Sequence, residues 1–349
     1  MSILHVFPNE KFTKDFVTRL YSLFDPNEHV FFINKNDAAI ISKEDLPFEQ
    51  IFWGEIDQDS EKFTELFKKA DRVVLHGLFM ELSELKVLVP LITASDRKTF
   101  WCIWGGDLYN DYETNHNTLN PKKLYKEQLR KKLIGSLYGI IATEDYPEAV
   151  KMYKTKARQF PATYSYRLIE AKECEKKDDL VNIMVGHSAT DTCRHLETFE
   201  KLVPYCGKIR IYCPLSYPND QAYIELVSNR GKELFGENFY PMTDFMPYDA
   251  YVEFLNSIDI GIFNNNRQQG NGNVTNLLYL GKKIYIAPEN NLLAVYQKLG
   301  AVMFTIDQMD APDFLEPFSK DICEKNRNVV INRYSDEAFY TGWNKVFVG

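Results

Sequence analysis

The sequence predicts an α/β protein made of two Rossmann-like domains, each built on a parallel, doubly wound sheet. Short apolar runs alternate with helical patterns along the chain, which is typical of parallel sheets. The alternation stops near residues 164–180, where the charged segment YSYRLIEAKECEKKDD has no clear period, and then begins again. The length of 349 residues also fits two domains of roughly 150 residues better than one small core.

Six apolar runs in the first half have the length and composition of buried strands. They are SILHVF, VFFI, QIFW, DRVVLHGL, TFWCIW and YGIIAT. Helical periodicity falls between them, near residues 9–23, 60–69, 80–93 and 121–137. We therefore predict an N-terminal domain over residues 1–165.

The second half repeats this organisation. Its predicted strands are VNIMVG, KIRIYCPL, DIGIF and KKIYIA. Its predicted helices lie near residues 194–203, 219–231, 248–257, 273–280 and 291–299. This half is predicted as a C-terminal domain over residues 180–330, followed by a final helix at 335–348.

Composition restricts the class of protein. The formal net charge of −8 argues against general binding to nucleic acid. No stretch approaches 18 apolar residues, and the start MSILHVFPNEKF lacks the basic and apolar regions of a signal peptide. Six cysteines scattered through a large chain indicate reduced thiols. These features predict a cytoplasmic protein.

The segment FNNNRQQGNGNVTNLLYLG, which starts at residue 263, lies between a predicted strand and a predicted helix. Parallel sheets bind ligands at the carboxyl ends of their strands, so such a segment is a candidate site. Gly270 and Gly272 allow close backbone approach, the helix N-terminus offers N–H groups, and Arg267 adds a cation. This combination suits a diphosphate, and a solvated loop with two turn glycines is the alternative.

A second candidate loop lies in IMVGHSATDTCRHLETF, where Gly186 and Ser188 follow a strand and lead into a helix. The alternative is that its hydroxyl residues only cap that helix. His187 and His195 do not have the spacing of metal ligands, so no zinc site is predicted.

In the first half, Asp107 follows the strand in WCIWGGDLYND. A carboxylate at the end of a strand is well placed as a general base, although it can equally cap a turn. His76 holds the same place on a neighbouring strand, where a lone histidine is usually structural. Asp57 and Asp59 form a D-x-D pair, but they lie in a polar stretch that predicts a loop, so no metal is expected.

Residues 121–158 hold ten lysines and arginines against four acidic residues. The stretch PKKLYKEQLRKKLIGSLYG intersperses leucines with these cations and predicts an amphipathic helix that can lie on anionic lipid. The alternative is a solvated helix whose leucines pack on the sheet. The candidate membrane or acceptor contacts are Lys123, Lys126, Arg130 and Lys131.

The motifs WCIWGGDLY, VGHS, YPNDQAYIE, YDAYVEFLNSIDIGIF, RQQG and PEN occur in this order from about residue 70 onward. They resemble the TDP-N-acetylfucosamine:lipid II N-acetylfucosaminyltransferases, glycosyltransferase family 56. The resemblance implies a GT-B fold, in which two Rossmann-like domains face a central cleft, and an inverting, metal-independent transfer. It also implies a TDP-linked deoxy-aminosugar donor, an undecaprenyl-diphosphate glycan acceptor and a peripheral position on the cytoplasmic face of the membrane. After RQQ the family has Gly-Ile-Gly-Thr, whereas this chain has Gly-Asn-Gly-Asn at residues 270–273, which adds amide groups near the donor sugar.

Together, the residues and the resemblance predict a glycosyltransferase that needs no cofactor or metal. Arg267 and the adjacent helix start would neutralise the departing TDP diphosphate. Asp107 is the predicted general base, with His76 in reserve. Phe245 or Met246 would contact thymine. The predicted donor-binding residues are Gly186, Ser188, Tyr217, Asn219, Tyr223, Phe245, Met246, Arg267, Gln268, Gln269, Gly270, Asn273 and Glu289.

Two other functions stay open at this stage. A GT-B-like nucleotide-sugar epimerase or hydrolase would use the same cleft, but it needs no membrane contact, so the basic segment argues against it. A non-catalytic two-lobed sugar-binding protein would also use the cleft. Such proteins are usually exported, and no signal peptide is predicted.

Overall fold

A computed structural model describes residues 1–10, 12–35, 41–109, 119–142, 144–164, 166, 168–172 and 178–349. The chain divides into two compact units, Met1–Tyr166 together with Tyr334–Gly349, and Arg167–Arg333. The predicted joining segment at 165–180 falls partly outside the described residues, as do Cys174 and the end of WCIWGGDLYND.

The first unit contains a seven-stranded sheet whose strands are all parallel. Its strands are β1 (Ile3–Phe7), β2 (His29–Asn34), β3 (Ile51–Gly54), β4 (Arg72–His76), β5 (Lys98–Cys102), β6 (Gly139–Ile141) and β7 (Arg158–Phe160). They lie in the order β3-β2-β1-β4-β5-β6-β7. The order reverses between β1 and β4, and that reversal is where doubly wound sheets bind ligands.

Five helices follow these strands in sequence and pack with the sheet. They are α1 (Thr13–Leu23), α2 (Ser60–Lys69), α3 (Leu82–Thr93), α4 (Pro121–Gly135) and α5 (Tyr146–Tyr153). All five residues of β1 and of β4 are buried, because two apolar clusters cover the two faces of the sheet.

The second unit contains a six-stranded parallel sheet. Its strands are β8 (Val181–Val185), β9 (Ile209–Pro214), β10 (Phe239–Met242), β11 (Ile260–Phe263), β12 (Lys283–Ile286) and β13 (Phe304–Thr305). They lie in the order β10-β9-β8-β11-β12-β13, which reverses between β8 and β11 and is the strand order of a Rossmann sheet. The predicted fold class, two Rossmann-like α/β domains, is confirmed.

The helices of the second unit alternate with its strands. They are α6 (His195–Leu202), α7 (Gln221–Phe235), α8 (Tyr248–Ser257), α9 (Asn271–Tyr279), α10 (Asn291–Lys298) and α11 (Lys320–Arg333). None of the helices in the described part of the chain is long and apolar enough to cross a membrane.

The last helix, α12 (Asp336–Val348), belongs to the first unit. The buried ring of Trp343 donates a 2.9 Å hydrogen bond from Nε1 to the carbonyl oxygen of Thr163. Arg72, at the start of β4, donates to the carbonyl oxygens of Val346 and Val348 at 2.8 and 3.0 Å. The chain therefore returns to its first sheet after completing the second.

Candidate active site

The two candidate loops of the second unit leave the same edge of the sheet side by side. Strands β8 and β11 are neighbours, with Ile183 paired to Ile260. The loop that starts at Gly186 follows β8, and the loop that starts at Asn264 follows β11. Both predicted donor loops therefore lie at the reversal of strand order.

Direct contacts join these loops. Gly270 has a left-handed backbone, with φ +67°, and a Cβ added to it would lie 3.0 Å from the His187 ring. Gln269 Oε1 accepts hydrogen bonds from Thr192 Oγ1 at 2.8 Å and from Asn265 Nδ2 at 3.0 Å. Glycine at position 270 therefore avoids both a strained backbone and a tight contact with His187, while Gln269 bonds to Thr192.

A buried thiol lies beneath these contacts. Cys193 Sγ is 3.5 Å from His187 Nδ1, 3.4 Å from Thr190 Oγ1 and 3.3 Å from Asn265 Nδ2. Burial raises the pKa of the Cys193 thiol, but the hydrogen bonds and charge from His187 and the hydrogen bond from Thr190 outweigh burial and lower the pKa to about 6. Sequence reasoning missed Cys193 and Asn265, which are 72 residues apart and leave no local pattern.

A third loop, after β12, fixes the position of Arg267. The buried side chain of Asn290 donates from Nδ2 to the carbonyl oxygens of Arg267 and Asn265 at 2.9 and 3.3 Å. Asn290 Oδ1 accepts from the backbone N–H of Leu292 and so caps α10. The backbone of the half-buried Arg267 is thereby fixed three residues before Gly270, the N-cap of α9. A guanidinium and a helix N-terminus together favour an anion.

Glu289 and Asn273 have protein partners in this structure. Glu289 Oε1 forms an ion pair with Arg194 Nη1 at 2.6 Å. Asn273 Oδ1 accepts a hydrogen bond from the hydroxyl of Tyr251. Gln268 is half-buried in the loop between Arg267 and Gln269.

The predicted residues after β9 divide into two groups. Tyr217 is exposed, its carbonyl oxygen accepts from the N–H of Ala189 at 2.7 Å, and its ring centroid is 6.5 Å from that of His187. Asn219 is also exposed. Tyr223 instead donates or accepts a 3.0 Å hydrogen bond with Nδ1 of the buried His195. The structure thus brings Tyr217 to the paired loops, and Tyr223 to the core beneath them.

Phe245 and Met246 lie on the segment between β10 and α8. Strand β10 is at the edge of the sheet, two strands away from β8. The Phe245 side chain is 86% exposed. A ring that exposed is available to stack on a planar partner.

In the first unit, Asp107 is fully enclosed by hydrogen bonds. Its Oδ2 accepts from Trp101 Nε1 at 2.7 Å and from the N–H of Leu78 at 2.9 Å, and its Oδ1 accepts from the N–H of Trp104 at 2.9 Å. Burial raises the pKa of the Asp107 carboxyl, and these three donors oppose that rise. The geometry does not fit the predicted general base, because a buried carboxylate with three donors holds the ends of β4 and β5 together and is closed to a substrate.

His76 does not fit the reserve role either. It is buried, and its Nε2 shares a 2.9 Å hydrogen bond with His5 Nδ1 while its Nδ1 is bonded to the hydroxyl of Tyr164. Burial lowers the pKa of His76 well below the ordinary value. His5 Nε2 in turn contacts His29 Nδ1 at 3.0 Å, so His76 is one member of a buried imidazole row.

The prediction that Arg130 contacts the membrane is wrong. Its side chain is fully buried and donates to the carbonyl oxygens of Leu78 and Asp107, both at 2.7 Å. Leu133 and Ile134 of α4 are buried as well, so part of the apolar side of this helix packs in the core, as the alternative interpretation had it.

The other three candidate cations differ in exposure. Lys123 and Lys131 are exposed, whereas the Lys126 side chain is only 17% exposed and lies 3.8 Å from Glu81.

In the polar stretch after β3, the Asp59 carboxylate accepts from the N–H of Glu55 at 2.9 Å, which agrees with a loop. Within the described residues, no group of three His, Cys, Asp or Glu side chains is placed to hold a metal ion.

Comparison with known families gives a match that covers most of the chain. The model of glycosyl transferase group 56, described as 4-alpha-L-fucosyltransferase, matches residues 58–348. The match includes both candidate loops and the whole of the second unit.

Solved structures with similar folds include three from bacteria. A glycosyltransferase from Rickettsia africae is 13% identical with a TM-score of 0.65, over 99% of this chain and 97% of that one. HepE from Anabaena, solved with UDP and glucose, is 10% identical with a TM-score of 0.67, over 99% of both chains. Sucrose-phosphate synthase from Thermosynechococcus elongatus is 8% identical with a TM-score of 0.63, over 99% of this chain and 98% of that one. At such low identity these likenesses show the fold alone, which is GT-B as predicted.

Proposed function

This chain belongs to glycosyl transferase group 56, the 4-alpha-L-fucosyltransferase family, and from that premise we propose a specific reaction for the glycosyltransferase. It moves a deoxy-aminosugar similar to N-acetylfucosamine from a TDP-sugar to a glycan carried on polyprenyl diphosphate, with inversion at the anomeric carbon. The complex of the similarly folded HepE with UDP and glucose supports a nucleotide-sugar donor.

The observation that carries the proposal is the pairing of the two glycine loops in the second unit. Gly270 lies against His187 at the start of α9, and Asn290 holds the backbone of Arg267 in the same loop. The first N–H groups of a helix have no acceptor within the helix, and they carry a partial positive charge. A diphosphate placed there gains backbone donors and a guanidinium, as phosphate sites at helix N-termini do.

The remaining donor residues are assigned to the two ends of the nucleotide-sugar. The exposed rings of Tyr217 and Phe245, with Met246 beside Phe245, are the groups suited to pack on thymine. At the other end, Asn271 and Asn273 supply amide groups for the hydroxyls or the N-acetyl group of the sugar. We assign Glu289 to ribose or sugar hydroxyls, since its second carboxylate oxygen remains an acceptor beside the Arg194 ion pair.

Negative charge grows on the diphosphate as the bond from the anomeric carbon to its oxygen breaks. Arg267 and the N–H groups of α9 are fixed before the reaction, so they stabilise that charge without rearranging. The same stabilisation is supplied by a divalent cation in metal-dependent transfer. We therefore propose that this enzyme transfers its sugar without a metal ion.

The transfer is tested with purified protein, TDP-sugars and a polyprenyl-linked glycan. We expect a glycosylated lipid and TDP as products, full activity in EDTA, and little release of TDP when the acceptor is left out. Rapid release of free sugar without acceptor would indicate a hydrolase, and loss of activity in EDTA would contradict the metal-independent reaction.

We also propose that the enzyme works as a peripheral protein on the cytoplasmic face of the membrane, where a lipid-linked acceptor keeps its diphosphate. The start of α4 supports this, because Leu119, Leu124 and Tyr125 are exposed there, Leu119 at 96%, beside the exposed Lys122 and Lys123. Exposed apolar side chains among cations are typical of segments that lie in a membrane interface. Each cation near an anionic surface contributes about 1 kcal/mol.

Sedimentation with anionic vesicles tests the membrane contact. The wild type should pellet at low salt and be released at high salt, because charges of this kind are screened. Replacing Lys122, Lys123 and Leu124 by Ser should abolish pelleting. The matched control replaces Lys14, Lys62 and Lys69 by Ser. These lysines are exposed on α1 and α2, and the control variant should pellet normally. A wild type that ignores anionic vesicles at low salt would refute the membrane contact.

A further inference from the structure

A recess opens in the first unit at the carboxyl ends of β1, β2 and β4, where the strand order reverses. Its volume is about 40 Å³, it is open to solvent on one side, and it is lined mostly by apolar side chains such as Phe7 and Met80. A cavity of this size holds a few atoms, such as a hydroxyl group and the carbon that bears it, while the rest of a sugar ring would lie at the open side.

Aromatic rings surround the recess. Phe79, which is part of the lining, is 49% exposed, and its centroid is 6.0 Å from that of Trp104 in an edge-on arrangement. Trp104 also meets the exposed ring of Phe12, again edge-on at 6.0 Å. Exposed aromatic faces beside an apolar recess suit the C–H faces of a sugar and leave the hydroxyls to polar groups.

Among the described residues that line the recess, the two ionisable side chains are His76 and Glu84. Both ring nitrogens of His76 are engaged by His5 and Tyr164. Glu84 is buried to 7% exposure, its Oε1 accepts from Asn34 Nδ2 at 3.3 Å, and its Oε2 accepts from the N–H of Glu81 at 2.8 Å. Each carboxylate oxygen can accept a further hydrogen bond, so Glu84 can still accept one from a substrate hydroxyl, whereas both ring nitrogens of His76 are already engaged.

We propose that Glu84 is the general base that takes the proton from the acceptor hydroxyl, in place of Asp107. This rests on the proposed function. The acceptor oxygen forms the new bond to the anomeric carbon of the donor, and its proton passes to the Glu84 carboxylate. The bond from that carbon to the diphosphate oxygen breaks, and its electron pair leaves with TDP.

The surroundings of Glu84 suit this task. Burial raises the pKa of its carboxyl, and the negative charges of Asp57, Glu81 and Glu55 raise it further, while the hydrogen bond from the Glu81 N–H opposes them. His76, across the recess, is held neutral by burial. A base whose pKa lies closer to the working pH binds the transferred proton more strongly, which favours general base catalysis.

Glu84→Gln is the central test, because glutamine keeps both hydrogen-bond acceptance at the start of α3 and the side-chain volume. The matched control is Glu61→Gln, which removes the same charge from the exposed first turn of another helix, α2. A panel of TDP-, UDP- and GDP-sugars first identifies the donor that the wild type transfers. Turnover, nucleotide affinity by calorimetry and the pH profile of kcat/KM are then measured with that donor.

We expect Glu84→Gln to lower turnover by about 10²–10⁴-fold, with nucleotide affinity unchanged. Glu61→Gln should stay within about twofold of the wild type. The wild-type rate should fall as the pH drops through the raised pKa of Glu84, whereas the residual rate of Glu84→Gln should be flat over that range. Glu84→Asp should recover part of the rate and the pH dependence. If Glu84→Gln keeps near-normal turnover, the base assignment is overturned and the transfer reaction stands. If the wild type transfers no sugar from any donor, the proposed function itself fails, and the base assignment with it.

Discussion

Replacing Gly270 by alanine tests whether this residue belongs to the donor site, and the same replacement at Gly207 serves as the reference. Gly270 is the N-cap of α9 at φ +67°, a conformation that costs an alanine roughly 1–2 kcal/mol. The new Cβ would lie 3.0 Å from the His187 ring, so that ring must move by a few tenths of an ångström. The His187 ring is hydrogen-bonded to Ser188 Oγ at 3.1 Å and to Cys193 Sγ at 3.5 Å, and these bonds resist its movement. We expect the start of α9 to shift instead.

A shifted helix start loses contact with the diphosphate. Loss of about one charged hydrogen bond, 1.5–3 kcal/mol, weakens TDP binding by about tenfold or more. Isothermal calorimetry with TDP measures this change, and thermal unfolding measures the cost in stability.

Gly207→Ala is the reference variant. Gly207 also has a left-handed backbone, at φ +83°, but no atom lies within 4 Å of an added Cβ. It precedes β9, at the amino ends of the strands, away from the candidate site. It should therefore lose similar stability and no TDP affinity. If both variants bind TDP equally well, Gly270 does not belong to the donor site.

Three further predictions concern charged and polar groups. Arg267→Ala should weaken nucleotide binding by about 1.5–3 kcal/mol in calorimetry, and unchanged affinity in the folded variant would remove Arg267 from the diphosphate site. Asp107→Asn should lower the free energy of unfolding, measured in urea, by about 1–3 kcal/mol, because an amide group cannot accept from all three donors. Normal stability with about a 100-fold loss of turnover would instead restore Asp107 as the base. Burial lowers the pKa of His29 to about 4 in the folded protein, against about 6.5 in the unfolded protein. The unfolded state therefore binds more protons as the pH falls from 6.5 to 4, and the folded protein loses about 3 kcal/mol of stability over that range. Melting temperatures at pH 7.5 and 5 check this. His29→Gln should reduce the difference without abolishing it, because burial also lowers the pKa of His5 and His76; an equal pH dependence in both proteins would contradict it.

The central strands and the edge strand β3 could be predicted from the sequence, and the other three edge strands could not. Strands buried on both faces read as continuous apolar runs, as ILHVF and IGIF do. The missed strands β7, β10 and β13 read RQF, FYPM and FT. They are short, and β10 contains Pro241, which an edge strand tolerates because one side of it needs no hydrogen bonds.

Two helices were missed for a related reason. The α11 sequence KDICEKNRNVVINR buries Asn326 and Val330 but shows no apolar stripe. Its position depends on contacts such as the 2.7 Å hydrogen bond from the N–H of Val302 to Asn326 Oδ1, which no local pattern contains. The short helix α5 likewise fully buries a single residue, Ala149.

The same distinction applies to the candidate site: features that depend on one loop could be predicted from the sequence, and features that depend on other parts of the fold could not. Glycines and an arginine after a strand predict where a diphosphate can bind, because the requirement is local to one loop. Whether a carboxylate is open or enclosed depends also on groups outside its own loop. Asp107 and Glu84 illustrate this, since the first is enclosed by Trp101, Trp104 and Leu78, and the second opens on a recess.

In both units, buried polar groups hold the loops at the reversal of strand order. Arg130 and Asp107 together bind both backbone groups of Leu78, and so fix the loop that leads into α3 and Glu84. In the second unit, Asn265 and Asn290 do the same for the loop that carries Arg267. A buried polar group is costly unless its partners are in place, so each such network penalises every other loop conformation. Loops fixed in this way present their charges without rearranging, which is the condition for electrostatic stabilisation of a transition state.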